Sequence, residues 1–266
     1  MDQALESLLK RDRLVVMAGL TGVTVVAWGY LVFEARRMYA TGVCCCAGMK
    51  MSGPDLHSWS AGTILPLFLM WTEMMVAMMI PTVAPTVLTF ALLNRKRREQ
   101  ERPYVATSAF LGGYLAVWTV FSLAIAIAQW ALHGAAMLSP LMESRSFWLG
   151  GGLLVAAGLF QFTPWKRACL RHCRSPLDSL ITGWREGGWG AFKMGWRNGA
   201  YCTGCCWVLM ALLFVLGVMN VLWIAVLTAL VLLEKALPRG AQLGRLAGVA
   251  FVVWGLGMLA GRWFLQ

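Results

Sequence analysis

Charge is scarce in this 266-residue chain: 13% of its residues are Asp, Glu, Lys or Arg, and only 12 are acidic. A soluble domain of this length needs far more polar surface, so the low charge excludes one. Histidine is scarcer still, with His57, His133 and His172 alone, which lacks the density of a histidine-ligated redox centre. No phosphate-binding loop, dinucleotide fingerprint, H-E-x-x-H or G-x-S-x-G is present, and energy coupling by bound nucleotide has no support. The alternating pattern of a membrane β-barrel is missing too, because the apolar runs are long and uninterrupted.

Those runs fill the chain, which is 59% hydrophobic with a mean hydropathy of +0.66. Uncharged stretches run over Leu14–Phe33, Met74–Asn94, Pro103–Met142, Ser146–Trp165, Asn198–Leu233 and Leu246–Gly261. Most reach the roughly 20 residues that a helix needs to cross about 30 Å of hydrocarbon. Backbone groups in lipid must be satisfied within the segment, so the reading is a single all-α domain over 1–266, a polytopic bundle in a lipid bilayer. Helices are expected near 14–33, 64–93, 104–132, 147–165, 203–217, 220–234 and 246–264, about seven in all. The apolar stretch from Cys205 to Leu233 is long for one helix and short for two full spans. Gly217 and Asn220 bracket a turn in GVMN, so a hairpin of two short helices is expected there. Lys10, Arg11 and Arg13 precede the first run like the start of a signal peptide. The run has no small-residue cleavage site, and Glu34, Arg36 and Arg37 follow it, so it is read as a retained helix.

The net charge of +11 is explained by topology rather than by nucleic acid, for which no partner role is expected. With the N-terminus inside, 18 of the 23 Lys and Arg residues fall on the cytoplasmic side, a strong positive-inside bias. The segment 166–202 then becomes a cytoplasmic loop in which Trp184, Trp189, Phe192 and Trp196 alternate with Arg185, Lys193 and Arg197, as at a lipid headgroup surface. The segment 34–62 becomes an outer loop.

Sulfur is the chemistry the chain has in quantity, with 16 Met and 8 Cys. In WTEMMVAMMIP, preceded by Met70, the thioethers of Met70, Met74, Met75, Met78 and Met79 share half the circumference of one helix. Such a face is a ladder of soft ligands suited to Cu(I); methionine also fills irregular gaps and packs on rings such as Trp71. Glu73 stands in the same segment, where a carboxyl group binds a cation, relays a proton or pairs with an arginine. Pro66, Pro81 and Pro85 punctuate this helix, each removing a backbone donor and inviting a kink.

Cysteine falls in three clusters. TPWKRACLRHCRSP carries Cys169, His172 and Cys173, and YCTGCCW carries Cys202, Cys205 and Cys206. A C-x3-C pair beside C-x2-C-C has the spacing of a tetrahedral thiolate site, open to copper, zinc or an iron–sulfur cluster; small cysteines also simply pack in membrane helices. The third cluster, CCCAGMKM followed by PDLH, offers Cys44, Cys45, Cys46, Met49, Met51 and His57 on the outer side. It reads either as a capture site for a soft metal or as a disulfide or lipid-modified segment.

Together WTEMMVAMMIP, TPWKRACLRHCRSP, GWRNGAYCTGCCW and GVMNVLW with Glu234 and Lys235 closely resemble the predicted metal-binding integral membrane proteins, a bacterial family that includes tyrosinase-associated membrane copper chaperones. The resemblance spans roughly Met70 to Arg239. It implies a multi-pass inner-membrane protein that delivers Cu(I) to a copper enzyme. It carries over onto Met74, Met75, Met78, Met79, Cys169, Cys173, Cys202, Cys205 and Cys206. Glu73 and the stretch from Cys44 to His57 stand outside the pattern. They leave room for a second reading, a structural or assembly subunit of a larger membrane metalloenzyme; a catalytic oxidase is the weaker third class.

Overall fold

A computed structural model describes residues 2–41, 63–99, 107–134 and 147–261, and every element among them is helical. In chain order they are α1 (Asp2–Thr41), α2 (Ile64–Glu99), α3 (Thr107–Gly134), α4 (Phe147–Phe160), α5 (Pro164–Arg174), α6 (Pro176–Thr182), α7 (Gly187–Ala211), α8 (Leu213–Leu216), α9 (Val221–Ala236) and α10 (Gly240–Gly261). Five stretches are long and apolar enough to cross a membrane: Leu14–Arg37, Ile64–Arg95, Thr107–Leu132, Gly187–Leu216 and Gly240–Gly261. With 14 residues in α4 and 16 in α9, these two helices reach only about 21 and 24 Å at 1.5 Å per residue.

Several boundaries differ from those the sequence led us to expect: α1 runs past both ends of the expected 14–33 helix, so the expected 34–62 loop is helical as far as Thr41. The fourth helix does not run to Trp165: it stops at Phe160, and a separate helix begins at Pro164. Proline at the first position suits a helix start, and the Thr163 hydroxyl accepts the Lys166 backbone N–H at 3.2 Å. More consequential is α7, which begins at Gly187 rather than near residue 203; with α5 and α6 it makes most of the expected basic and aromatic loop helical, and its own part is continuous with a membrane-length segment. The turn is present, since Gly217 has a φ of 93° and Asn220 caps α9 by accepting the Trp223 backbone N–H at 3.4 Å, but the arm before it is a membrane-length stretch from Gly187 and not a short helix.

The core lies where α2, α3, α7 and α9 meet. The most extensive pairing joins α3 to α7, and its cause is a lack of side chains at the contact. A Cβ on Gly113 would overlap the Phe192 carbonyl oxygen, and one on Gly195 would overlap that of Phe110. Small residues let membrane helices approach backbone to backbone, where dispersion rather than the hydrophobic effect holds them. Gly158 on α4 and Gly248 on α10 oppose one another in the same way. Above this contact Phe110, Phe90 and Trp184 stack at 4.7 and 5.3 Å, with the Arg97 guanidinium 4.7 Å over Trp184. That stack ties the segment after α6 to α2 and α3.

Neighbouring glycines give a direct test. Replacing Gly113 with Ala forces α3 off α7 and should cost roughly 1–3 kcal/mol or more, as overpacking does. Gly112, whose Cβ would meet nothing within 4 Å, should accept Ala without loss. Thermal melting of the two variants in detergent reads the difference.

Candidate functional site

The methionine face is buried. Met70 is 7% exposed, and Met74, Met75, Met78 and Met79 are at or below 1%. Trp71 lies between them, its indole N–H donating to Gln129 Oε1 at 2.5 Å and its ring 5.5 Å from that of Phe214. Helix α2 passes Pro81 and Pro85 without a break. Proline at position 81 leaves the Ala77 carbonyl without its usual i+4 donor. The Trp28 indole N–H of α1 supplies one at 3.0 Å, which seats α1 beside the methionine face.

One turn further along, the sulfur-bearing segments converge. Tyr114 on α3 donates its hydroxyl to the Met79 carbonyl oxygen at 3.4 Å and lies 3.1 Å from Cys202 Sγ on α7. Lys235 on α9 places its ammonium 2.9 Å from the same sulfur and 3.2 Å from the Thr82 hydroxyl. Thr82 in turn sits 3.8 Å from the Met79 thioether. Residues as far apart in sequence as Met79 and Cys202 thus belong to one contiguous polar and sulfur cluster inside the bundle.

Cysteine contacts extend the cluster toward α5. The thiols of Cys205 and Cys206 both donate to the Cys202 carbonyl oxygen at 3.0 Å. The Cys173 thiol interacts with that of Cys205, which brings the second pair onto the first. That interaction, and then burial, push the Cys173 thiol well above its ordinary range. Cys169 stands nearer the surface, where burial first and Cys205 second raise its thiol as well. Both are protonated at neutral pH, so a metal must displace their protons. His172 turns away and stacks on the Tyr201 ring at 3.8 Å; burial and then the Arg197 guanidinium lower its pKa. Among the described residues no three His, Cys, Asp or Glu side chains converge as a preformed metal site. Cys44, Cys45, Cys46, Met49, Met51 and His57 lie outside the described residues.

A second buried polar group supports this one. Lys166, 2% exposed, pairs with Glu234 Oε2 at 2.7 Å and also bonds Gln161, joining α5 and the end of α4 to α9. Lys166 and Lys235, two of the cations that the sequence assigns to the cytoplasmic side, are each engaged inside the bundle. Sequence reasoning also missed Trp28, Tyr114 and Thr82. The signal for Trp28 was Pro81 itself, since a proline in a lipid-embedded helix requires a replacement donor for its i−4 carbonyl.

Residues 68–258 match the family model of PpoB2, described as a copper chaperone. The chain belongs to this copper chaperone family. No curated protein and no solved structure matches it. The matched span contains the methionine face, both cysteine pairs and the Lys166–Glu234 and Lys235–Cys202 contacts, and it begins after α1 and the segment from Cys44 to His57.

Two outcomes follow from the site's electrostatics. Glu234→Gln strands the Lys166 ammonium in the interior and should destabilise by about 3–5 kcal/mol, whereas replacing both partners together with Leu and Met should restore most of that loss; chemical denaturation of the two variants in detergent measures it. His172 binds its proton less readily in the folded state than in the unfolded chain, whose imidazole titrates near 6.5. Its contribution to stability is therefore complete above 6.5 and is lost as pH falls from there through the lower folded-state midpoint. His172→Gln should shrink the fall in melting temperature between pH 7.5 and pH 5.

Proposed function

We propose that this copper chaperone, seated in a bacterial inner membrane, carries Cu(I) along its buried sulfur line and delivers it to a copper enzyme. The observation that supports this most is the contiguity of the methionine face of α2 with the cysteine cluster of α7 and α5, through Thr82, Tyr114 and Lys235. Thioether and thiolate groups are soft, so they favour Cu(I) over zinc and over hard cations. No single thioether holds the ion tightly, and transfer proceeds by exchange between neighbouring sulfurs.

Met74, Met75, Met78 and Met79 serve as ligands of passage in this reading, and Cys173, Cys202, Cys205 and Cys206 as the deeper thiol station, with Cys169 nearer its surface. Lys235 occupies the cation's place beside Cys202 until the ion arrives. His172, stacked on Tyr201, orients α5 rather than ligating. With the N-terminus inside, the thiol cluster faces the reducing cytoplasm, and the segment from Cys44 to His57 faces outward as a capture or release site at the α1–α2 end.

The full-length protein in lipid nanodiscs should take Cu(I) from a soluble donor and pass it to a chelating acceptor. Met78→Leu keeps side-chain volume while removing sulfur, and Cys205→Ser removes a thiol at the other station. Each should slow transfer by about tenfold or more, the scale on which metal sites respond to altered ligand shells. Unchanged transfer in both would return the sulfur line to a packing role and favour an assembly subunit. A membrane-impermeant thiol reagent applied to intact cells should modify Cys44–Cys46 and spare Cys169; the reverse pattern inverts the topology.

A further inference from the structure

We propose that the cavity between the C-terminal half of α1 and the first turns of α2 is a Cu(I) loading site, built from the carboxylates of Glu34 and Glu73 and the thioethers of Met70, Met74 and Met219. The cavity has a volume of about 340 Å3, and these five side chains line it together with Tyr30 and apolar residues. It rests on the copper-route reading above and adds the entrance to that route.

Charge marks the cavity for a cation. Two carboxyl groups line it, and no Lys, Arg or His does. Glu34 is only 7% exposed. One of its oxygens lies 3.6 Å from Arg37, whose side chain is largely in the open, and the other, fully buried, accepts no hydrogen bond among the described residues. A buried carboxylate oxygen without a donor carries a desolvation cost that a bound cation would relieve. Glu73 also borders a second, more open groove along α1, lined by Gly22, Val26 and Tyr30.

Sulfur marks that cation as soft. Met70 and Met74 stand one turn apart on α2, and Met219 comes from the turn between α8 and α9, so thioethers approach the carboxylates from two separate segments. Calcium and magnesium require six or more oxygen ligands, which this lining does not provide; Cu(I) is satisfied by two or three soft donors with a carboxylate to balance its charge. Met74 faces the cavity and also begins the buried run to Met75, Met78 and Met79. An ion admitted here enters the sulfur line at its end.

The test is anaerobic Cu(I) titration of the full-length protein in detergent against the chromophoric chelator bicinchoninate, with X-ray absorption of the loaded sample. Glu34→Gln preserves volume and removes charge, and Met219→Leu preserves volume and removes sulfur. Each should weaken the same equivalent of Cu(I) by about tenfold or more, and Glu34→Gln should lose an oxygen neighbour from the absorption spectrum. If both variants melt like the parent and bind Cu(I) as it does, while Met78→Leu binds less, the loading site is wrong and the copper route stands. If the unmodified protein takes up no Cu(I), both are wrong. Displacement of the bound equivalent by millimolar Mg2+ would overturn the assignment to a soft ion.

Discussion

Contact between α3 and α7 without intervening side chains is the constraint on which the rest depends. Gly113 and Gly195 let the two backbones meet, and the next residue on α3 is Tyr114, while Cys202 lies two turns beyond Gly195. Only at that separation does a tyrosine hydroxyl span from the Met79 carbonyl to the Cys202 sulfur. Moving α7 outward by the width of a methyl group would break the bridge between the methionine helix and the cysteine helix. It would also withdraw Cys202 from Lys235. In lipid no hydrophobic force draws helices together, so the close approach that glycine permits stands in for the burial that organises a soluble core.

The second constraint is that polar groups in hydrocarbon must find partners inside the protein. Ser122, Thr228 and Thr82 return their hydroxyls to carbonyls one turn back, at 2.8, 2.7 and 3.0 Å. The larger groups work between helices: Trp28 to Ala77, Trp71 to Gln129, Lys166 to Glu234 and Lys235 to Cys202. Each of these sets the rotation of one helix against another, which a uniformly apolar surface cannot do. The bonds that satisfy lipid-embedded polar groups are therefore the same bonds that aim the sulfur ligands.

Much of this was legible in the sequence because it is local. Long uncharged runs dictated helices, Gly217 and Asn220 dictated the turn, and a 100° step per residue put five methionines on one face that is indeed buried. What could not be read depends on which helix neighbours which. Lys166 and Lys235 are indistinguishable in sequence from the cations that report sidedness, and only their partners on α9 and α7 reveal them. The start of α7 was hidden because Trp189, Lys193 and Trp196 look interfacial. The neighbouring face, through Gly195 and Gly199, fits α3, and a glycine carries no hydrophobic signal. The number of membrane crossings also depends on more than apolarity, since α4 and α9 fall short of the bilayer's thickness and pack against longer partners.

The placement of charge along the sulfur line bears on how an ion would move. At the α1–α2 end Glu34 and Glu73 border a cavity whose lining has no basic side chain, whereas at the cysteine end the Lys235 ammonium already sits against Cys202. On the proposed reading, a cation entering between the carboxylates meets attraction, and one reaching Cys202 meets an ammonium that must yield. The exchange swaps one positive charge for another beside Cys202, which leaves the net charge of the interior unchanged. Lys235 is tethered to α9 and bonded to Thr82 on α2, so its withdrawal would be felt on both helices flanking the methionine face.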